Sequence, residues 1–386
     1  MKILNICGYS WDIGGPPKII HDHAIVQMKL GAEVTILTPI SEGQKVYAIP
    51  EGAEVVTCQR HWFAKYWAEF SPELYHWIKK HGNEYDIIHI HGVWHFAGVA
   101  PYLAGITTAK CITTHGLLDS WTIGKGYWKK MLFGFLFQKK ILKNTQLIQI
   151  NNTDELADLK RFLGFQHPNI QIIPNGMNLS DFENLPPKNT FRDKFSIAAD
   201  KKIILFLSRI NLKKGLDLLL PAFKEIALQR NDCLLIMAGP DDGYLAETKH
   251  FIKDNNLTDK IQLVGMLTGN DKLAAFADAD IFALPSHSEG FSIATLEALI
   301  SGIPSLLSDR VGFGEAIRQS NAAHVIDLNV KSIVNGLNQM LDNRDYCSEL
   351  SRNGIELVKN KYDIEIVAKD LFKEFDKIAL SRTSRN

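Results

Sequence analysis

The chain of 386 residues lacks the features that mark membrane-spanning, secreted and disulfide-rich proteins. No apolar run approaches the ~18 residues that a membrane-spanning helix needs, and Gly8 and Asp12 interrupt the amino-terminal apolar segment before it could act as a secretion signal. The five cysteines are scattered and include no C-x-x-C pair, which argues against disulfides and thiolate-bound zinc and favours the reducing cytoplasm. Lys plus Arg equals Asp plus Glu at 43 each, so the net charge does not favour a nucleic-acid partner.

Apolar residues make up 46% of the chain, which is enough to form substantial cores. Single cores stop growing near roughly 250–300 residues, so the length predicts two domains. Adjacent prolines in a charged segment predict a linker over residues 184–200, between a first domain over 1–183 and a second over 201–362. Residues 363–380 repeat apolar side chains at helical spacing, which predicts a terminal helix with one apolar face.

Short β-rich runs alternate with helical patterns in both predicted domains, which is typical of doubly wound α/β folds with parallel sheets. The predicted strands are Lys2–Cys7, Glu33–Pro39, Asp86–His91, Lys110–His115, Leu147–Asn151, Lys202–Arg209, Cys233–Gly239, Ile261–Val264, Asp280–Pro285, Ser305–Ser308 and His324–Asp327. The predicted helices are Pro17–Leu30, Trp94–Ala104, Thr153–Leu163, Leu216–Gln229, Tyr244–Asn255, Asp271–Ala277 and Ile293–Ile300. Ligands of such sheets bind beyond the carboxyl ends of the strands, so we expect the chemistry in the loops that follow them.

The most informative segment is LPSHSEGFSIATLEALISGIP, residues Leu284–Pro304. A buried strand is followed by a polar turn, and Ser292 is placed to cap the helix that comes next. Free amides at a helix start favour a phosphate group, and here they belong to Gly290, Phe291, Ser292 and Ile293. The spacing alone leaves open whether Glu289 and Glu297 contact a ligand or are two solvated glutamates near a helix start.

The segment Glu289-GFSIATL-Glu297 resembles the glutamate pair of the family 4 retaining glycosyltransferases, and the similarity spans nearly the whole chain. This resemblance implies the GT-B fold, in which two Rossmann-like domains face a central cleft and the last helix packs back on the first domain. SRINLKKG then resembles the family's strand-end segment, which implies that Arg209 and Lys214 hold the donor diphosphate. Arg209 would offer a planar fork to phosphate oxygens, and Lys214 a point charge. Without the resemblance, a segment such as SRINLKKG is more often an ordinary basic turn.

The resemblance extends to four weaker segments. The loop CGYSWDIGGPPK resembles the family's glycine loop facing the donor diphosphate, which implicates Gly14 and Gly15. TTHGLLDSW resembles the segment near the donor sugar and implicates His115, which we expect to be exposed at the end of a strand, although a lone strand-end histidine is more often structural. IIPNGMN resembles a turn lining the site and implicates Asn175 on the acceptor side, with asparagine at 178 where the family has aspartate. The VGML turn is expected to hold the nucleotide base through backbone groups, and its residues are Val264, Gly265, Met266 and Leu267.

Two further clusters allow alternative interpretations. HIHGVWH contains His89, His91 and His95, a spacing that could hold a divalent metal, but no further carboxylate ligands follow. We therefore predict no metal site and place His91 on the acceptor side. The segment 126–143 surrounds an aromatic core with lysines, which fits either a helix on an anionic membrane surface or an ordinary packed helix.

The resemblance implies a retaining hexosyltransferase that uses a nucleoside-diphosphate sugar, GDP-mannose or a UDP-hexose, without a cofactor or metal. Glu289, His115, Arg209 and Lys214 would be its catalytic residues, with Glu289 on the sugar hydroxyls and Glu297 on the ribose. The expected acceptor is a glycan or lipid-linked oligosaccharide of bacterial surface polysaccharide or lipopolysaccharide biosynthesis, at the inner face of the membrane. The alternatives are a nonhydrolysing nucleotide-sugar epimerase and a non-catalytic sugar-nucleotide-binding subunit. The sequence leaves the donor, the acceptor, the linkage and the oligomeric state open.

Overall fold

The structure is a computed structural model that describes residues 1–10, 15–124 and 126–383. Contacts divide the chain into a first unit, Met1–Asn178 with Asp363–Asn386, and a second unit, Leu179–Tyr362. Each unit is built on one parallel sheet, so the predicted fold class of two doubly wound α/β domains is confirmed. No helix in the described part of the chain is long and apolar enough to cross a membrane.

The first unit contains a seven-stranded parallel sheet. Its strands are β1 (Lys2–Ile6), β2 (Glu33–Ile40), β3 (Glu54–Gln59), β4 (Ile87–His91), β5 (Ala109–Thr113), β6 (Leu147–Ile150) and β7 (Ile170–Ile172). Its helices up to residue 178 are α1 (Gly15–Lys29), α2 (Pro72–His81), α3 (Phe96–Leu103), α4 (Ser120–Gly124), α5 (Tyr127–Phe133), α6 (Lys139–Asn144) and α7 (Thr153–Leu163). The strand order β3-β2-β1-β4-β5-β6-β7 places the carboxyl ends of β1 and β4 side by side at the centre of one edge.

The second unit contains a six-stranded parallel sheet with the order β10-β9-β8-β11-β12-β13. Its strands are β8 (Lys202–Leu207), β9 (Cys233–Ala238), β10 (Ile261–Gly265), β11 (Ile281–Leu284), β12 (Ser305–Ser308) and β13 (His324–Ile326). Its helices are α8 (Thr190–Lys194), α9 (Leu216–Gln229), α10 (Leu245–Asp254), α11 (Gly269–Asp278), α12 (Ile293–Ile300), α13 (Gly314–Ser320), α14 (Val330–Asp342) and α15 (Arg344–Lys361). The central strands β8 and β11 are neighbours, so the loops that follow them meet.

The terminal helix α16 (Ile364–Thr383) belongs to the first unit. Its apolar face packs on α1 and the sheet, where Phe375 is fully buried and its ring lies 5.3 Å from that of His89. An ion pair between Lys29 and Glu365, 2.7 Å long, joins the ends of the two helices. The apolar period read from the sequence thus corresponds to a helix that covers one face of the sheet.

The segment 184–200, predicted as a linker, is instead part of the second unit. It contains α8, whose first turn is held by the buried carboxylate of Asp278. This carboxylate accepts hydrogen bonds from the amides of Asn189, Phe191 and Arg192 at 2.7, 2.9 and 3.1 Å. The adjacent prolines precede α8 and do not prevent this helix from packing within the second unit.

Several elements were not predicted. They are β3, β7, α2, α4, α8, α13, α14 and α15. The predicted helix over 126–143 is α5 and α6 joined by a π-helical turn, Gly134–Gln138. A Cβ at Gly134 would lie 3.2 Å from the Phe162 ring, so this turn packs closely on α7.

Candidate active site

Two glycines set the backbone at the carboxyl edge of the second unit. Gly215, at the start of α9, has φ +75°, and a Cβ there would lie 1.8 Å from the carbonyl oxygen of Pro285. Gly239, after β9, has φ +151°, and a Cβ there would lie 1.8 Å from the carbonyl oxygen of Ser208. Only glycine allows such close approach. The loop after β8 is therefore pressed against the turn after β11.

This approach pairs two of the predicted site residues. The Lys214 ammonium group forms an ion pair with Oε1 of Glu289, and both side chains are only 10% exposed. The Ser286 hydroxyl donates to the same oxygen at 3.3 Å. A buried charge is stable only when it is paired, so removing either partner would leave an uncompensated charge. Because an ammonium group has three donors, Lys214 can hold Glu289 and still donate to a phosphate oxygen.

The second predicted glutamate has a partner that was not predicted. Glu297 is 4% exposed, and its Oε1 lies 2.6 Å from the ammonium group of Lys272 on α11. This ion pair balances the buried carboxylate and engages one of its two oxygens. The residues are 25 positions apart, so no local pattern in the sequence indicates the pair.

The helix between these glutamates begins as its sequence predicts. Ser292 is the N-cap of α12, and its hydroxyl accepts hydrogen bonds from the amide of Thr295 at 3.3 Å and from the Thr295 hydroxyl at 2.9 Å. The same turn is held to α9 by His287, whose Nε2 lies 2.9 Å from the Asp217 carboxylate. The predicted amides of Gly290, Phe291, Ser292 and Ile293 thus belong to a fixed helix start with a partial positive charge.

Arg209 forms an ion pair of its own, separate from the Lys214–Glu289 pair. Its Nη1 is 2.6 Å from Oδ2 of Asp242, and the Arg209 side chain is 60% exposed. Exposed ion pairs contribute about 1 kcal/mol or less, so a phosphate could replace this carboxylate at small cost. Asp242 carried no signal in the sequence.

The turn after β10 is mostly accessible. Met266 is 66% exposed, whereas Val264 and Leu267 are half-buried. The Gly239 amide donates to the carbonyl oxygen of Gly265 at 2.8 Å, which ties this turn to the loop after β9. The backbone of this turn is therefore fixed by its neighbour.

At the carboxyl edge of the first unit, His91 and His115 stack on each other. Their rings are nearly parallel, at 17° with centroids 5.5 Å apart, and Nδ1 of His91 lies 3.3 Å from Nε2 of His115. Burial, and then the charge of His89, lower the pKa of His91 well below its usual value. Burial, and then the charge of His23, lower the pKa of His115 to about 4, although the neighbouring Asn175 side chain opposes this. Both rings are therefore neutral near pH 7.

His115 was expected to be exposed, but it is half-buried and has the left-handed φ of +51°. The loop is held by Glu155, which accepts from the Thr114 hydroxyl and, at 2.5 Å, from the amide of Gly116. Glu155 also accepts from the amide of Asn151 at 2.7 Å. It is the third residue of α7 after the N-cap Asn152, so the capping pattern N-x-x-E could have indicated it.

The other predicted residues of the first unit are interior groups. His91 and Asn175, both predicted on the acceptor side, are 8% and 4% exposed. The Asn175 carbonyl accepts from Nε2 of His23 at 2.7 Å, and Nε2 of His91 lies 3.0 Å from Oδ1 of Asn5. They form a buried polar layer beneath the surface.

The structure describes part of the predicted glycine loop and all three histidines of the HIHGVWH cluster. Gly14 lies outside the described residues, whereas a Cβ on Gly15 would meet no described atom within 4 Å. Within the described ranges, no three His, Cys, Asp or Glu side chains are placed to hold a metal ion. His89 instead contacts the Thr113 hydroxyl at 2.6 Å, and His95 contacts Glu69 at 3.0 Å.

Two family models match the chain in succession, one to each half. Glycosyltransferase Family 4 matches residues 13–181, and Glycosyl transferases group 1 matches residues 187–357.

Several curated proteins are similar to the chain. An uncharacterized glycosyltransferase of Methanocaldococcus jannaschii is 27% identical over 99% of this chain and 100% of its own length. A phosphatidyl-myo-inositol mannosyltransferase of Mycobacterium leprae is 23% identical over 99% and 98%. The UDP-Gal:alpha-D-GlcNAc-diphosphoundecaprenol alpha-1,3-galactosyltransferase of Escherichia coli is 27% identical over 74% and 75%.

Solved structures share the whole fold at low identity. The sucrose-phosphate synthase of Thermosynechococcus elongatus superposes with a TM-score of 0.83 at 18% identity, over 99% of this chain and 100% of that one. Anabaena HepE, solved in complex with UDP and glucose, gives a TM-score of 0.78 at 15% identity, over 98% and 100%.

Proposed function

Because the chain belongs to the family 4 glycosyltransferases of the GT-B fold, we propose that it is a retaining hexosyltransferase. It transfers a hexose from a nucleoside-diphosphate sugar to a hydroxyl of a glycan or lipid-linked oligosaccharide, in bacterial surface polysaccharide or lipopolysaccharide biosynthesis. The observation that carries this proposal is the buried Lys214–Glu289 ion pair beside the start of α12. It combines a cation for a diphosphate with a carboxylate for sugar hydroxyls.

Stabilisation of the leaving diphosphate is the main task of these residues. Negative charge develops on the diphosphate as the glycosidic bond breaks, and donors already aimed at it lower the barrier most. Lys214 and the amides that begin α12 are held in place before the donor binds, and Arg209 adds a planar fork once it leaves Asp242. The departing phosphate would accept the proton of the acceptor hydroxyl, so no side chain is needed as a base.

The two glutamates hold different parts of the donor. Glu289, in the turn, accepts hydrogen bonds from the hydroxyls of the sugar being transferred. Glu297, on the second turn of α12, accepts from the ribose with the carboxylate oxygen that Lys272 does not engage. His115 remains neutral near pH 7 and hydrogen-bonds to the sugar without repelling the positive charge that develops there.

The names of the relatives indicate the class of donor. A binding measurement would identify the donor itself. The Escherichia coli relative's name specifies UDP-Gal, and the Mycobacterium leprae relative's name specifies mannosyl transfer. We therefore expect GDP-mannose or a UDP-hexose. Thermal unfolding with a panel of nucleoside diphosphates and nucleotide sugars should show one donor whose shift grows as RT ln(1 + [L]/Kd). A panel without any shift contradicts the proposal, and sugar epimerisation without transfer supports the epimerase instead.

Metal independence belongs to the same proposal. Lys214, Arg209 and the helix-start amides supply the positive charge that a divalent cation supplies in other phosphoryl sites. Turnover should therefore survive EDTA. Loss of turnover in EDTA that zinc or manganese restores would contradict this.

The segment 126–143 supports a place at the inner face of an anionic membrane. It is amphipathic, because Phe133 and Phe137 pack on Trp67, with centroids 5.9 and 5.5 Å apart. Trp128 and Phe135, in contrast, are 83% and 79% exposed. Exposed aromatic rings beside lysines suit a headgroup layer, where each lysine contributes about 1 kcal/mol.

Vesicle binding tests this membrane proposal. Replacing Lys129, Lys130, Lys139 and Lys140 by glutamine should abolish binding to vesicles rich in anionic lipid at moderate salt. The matched control replaces four exposed lysines of the second unit, Lys249, Lys253, Lys359 and Lys361. Wild-type protein that ignores anionic vesicles would mean that the segment only packs.

A further inference from the structure

A second charged cluster lies at the carboxyl edge of the first unit's sheet, outside the donor chemistry proposed above. Arg60 directly follows β3, His95 follows β4, and Glu69 lies between them in space. Glu69 Oε2 is 3.0 Å from Nδ1 of His95, and Glu69 Oε1 is 4.0 Å from Nη2 of Arg60. Arg60 Nη1 donates to Oε1 of Gln44 at 3.2 Å. In parallel α/β sheets this edge is where ligands bind.

The cluster has unused hydrogen-bonding capacity. The 4.0 Å separation between Arg60 and Glu69 is too long for a hydrogen bond. Arg60 Nε has no hydrogen-bond partner among the residues that the structure describes, although this atom is buried. Buried polar groups without partners are rare because each costs about 1–3 kcal/mol.

The backbone around the cluster is strained. Glu69 has φ +61° and Trp94, next to His95, has φ +74°, a region that residues other than glycine seldom adopt. The amide of Phe96 donates to the carbonyl oxygen of Ala68 at 2.9 Å, which fixes the two loops against each other. Strain of this kind persists where the surrounding structure enforces it, and it is concentrated at binding and active sites.

The cluster is continuous with the stacked histidines. His95 Nε2 lies 3.1 Å from the carbonyl oxygen of His91, and Nδ1 of His91 lies 3.3 Å from Nε2 of His115. The side chains of Arg60 and Glu69 keep 18% and 16% of their surface exposed, so a ligand can reach them. A molecule bound there would lie beside the histidine that we assign to the transferred sugar.

We propose that Arg60 and Glu69 bind the hydroxyl groups of the acceptor's sugar or cyclitol ring, an inference that rests on the proposed transferase function. A hydroxyl group can accept from the guanidinium and donate to the carboxylate at the same time, and from one side it can bridge two atoms that are 4.0 Å apart. An anion would be repelled by Glu69, and a cation by Arg60. The pair of opposite charges therefore selects a neutral, hydroxyl-rich ligand.

Binding of simple glycosides tests the inference without knowledge of the natural acceptor. Saturation-transfer NMR would measure methyl α-mannoside, methyl α-galactoside and myo-inositol on the wild type and on Glu69→Gln, Arg60→Gln and Arg60→Lys. At least one of these ligands should bind the wild type, and each variant should weaken it about tenfold or more, because a site built for hydroxyls is then left with an unpaired group. Glu51→Gln, an exposed glutamate of the same unit, is the matched control and should bind as the wild type does. Octyl glycosides of the same sugars separate hydroxyl recognition from binding of an alkyl chain.

Nucleoside diphosphate affinity, measured on the same proteins, separates this inference from the proposed function. It should stay within about twofold of wild type in every variant that keeps its thermal unfolding midpoint, since a factor of two is only ~0.4 kcal/mol. The inference is overturned if no glycoside or inositol binds, if the folded variants bind them unchanged, or if inorganic phosphate competes for the site. A wild type that binds glycosides but no nucleotide overturns the proposed function instead.

Discussion

The two units have the same sheet architecture but opposite polar chemistry at the carboxyl edge. In the first unit, buried histidines meet through neutral rings, and burial lowers the pKa values of His23, His89, His91 and His115. In the second unit, the corresponding edge is built from ion pairs, Lys214 with Glu289 and Lys272 with Glu297. Parallel sheets place the ligand loops alike in both units, so the side chains alone decide what each can bind.

This difference follows the charge of the expected ligands. A diphosphate carries charge and needs fixed cations, whose own desolvation is offset by nearby carboxylates. A sugar ring is neutral, and a neutral hydrogen-bonding network can meet it without burying charge. The Glu69–His95 pair departs from this pattern in the first unit, and it is there that we infer acceptor binding. Four predictions test the contrast, from the largest expected effect to the smallest.

Glu289→Ala should have the largest effect. It removes the carboxylate beside the breaking bond and leaves Lys214 buried without its partner. We expect kcat to fall about a hundredfold, ~2.7 kcal/mol, with a much smaller rise in KM, because these contacts strengthen as the sugar gains positive charge. Steady-state kinetics would measure this, with the exposed Glu315→Ala as control. A folded Glu289→Ala enzyme with wild-type kcat would contradict the role of the ion-paired edge.

Glu155→Ala tests how the neutral edge is held. The substitution leaves the Thr114 hydroxyl and the amides of Asn151 and Gly116 without their acceptor. We expect a loss of about 2 kcal/mol in the free energy of unfolding, since unpaired buried groups are costly. All seven tryptophans lie in residues 1–178, so urea unfolding followed by tryptophan fluorescence reports on this unit. Glu155→Gln, which keeps an acceptor oxygen, should lose less; equal losses would mean that packing dominates.

Glu297→Ala should act on binding more than on catalysis. The ribose does not change during the reaction, so the expected result is a roughly tenfold higher KM for the donor, ~1.4 kcal/mol, with kcat nearly unchanged. The affinity for the free nucleoside diphosphate should fall by a similar factor. Lys272→Met serves as the matched partner variant and should weaken the nucleotide in the same direction. A large fall in kcat for Glu297→Ala would mean that the two glutamates do not divide their roles.

Acidification should weaken the first unit more than the second. A histidine whose pKa is lowered on folding stabilises the fold above about pH 6.5, and this contribution is lost as the pH falls towards the folded pKa. From pH 7 to 5.5, His115 alone accounts for about 1 kcal/mol, and His23, His89 and His91 act in the same direction.

Two other histidines reduce the difference between the two units in the stability that each loses on acidification. The pKa of His95 is raised because Glu69 outweighs burial, so its contribution is greatest at low pH and opposes the loss in the first unit. Burial lowers the pKa of His324 in the second unit. We expect the free energy of unfolding of the first unit to fall by ~1 kcal/mol more than that of the second. It would be measured by urea unfolding at both pH values, with tryptophan fluorescence for the first unit and hydrogen exchange for the second. Equal losses in the two units would contradict the contrast.

Much of the architecture could be predicted because it depends on local signals. The helices Thr153–Leu163, Leu216–Gln229 and Ile293–Ile300 begin and end at the predicted residues. Asn152 and Ser292 cap two of them, and the buried strands are continuous apolar runs. The segment 184–200 was mistaken for a linker because its partner, Asp278, is about 90 positions away and invisible to local patterns.

The candidate site could be predicted residue by residue, but its pairings could not. Glu289 and Lys214 were singled out separately, and nothing in the sequence indicated that they pair across 75 positions. Asp242, Lys272 and Glu69 carried no motif at all. His115 was expected at the surface because a strand-end position does not reveal which side chains will cover it.

The sequence by itself determined the alternation of strands and helices in both units, the capped helix start after Glu289 and the family. These depend on residues that are close along the chain, where spacing fixes geometry. Only the tertiary structure decided which charges neutralise each other and which histidines are buried. Burial and pairing depend on residues brought together from distant segments, because a charge or a ring responds to its neighbours in space.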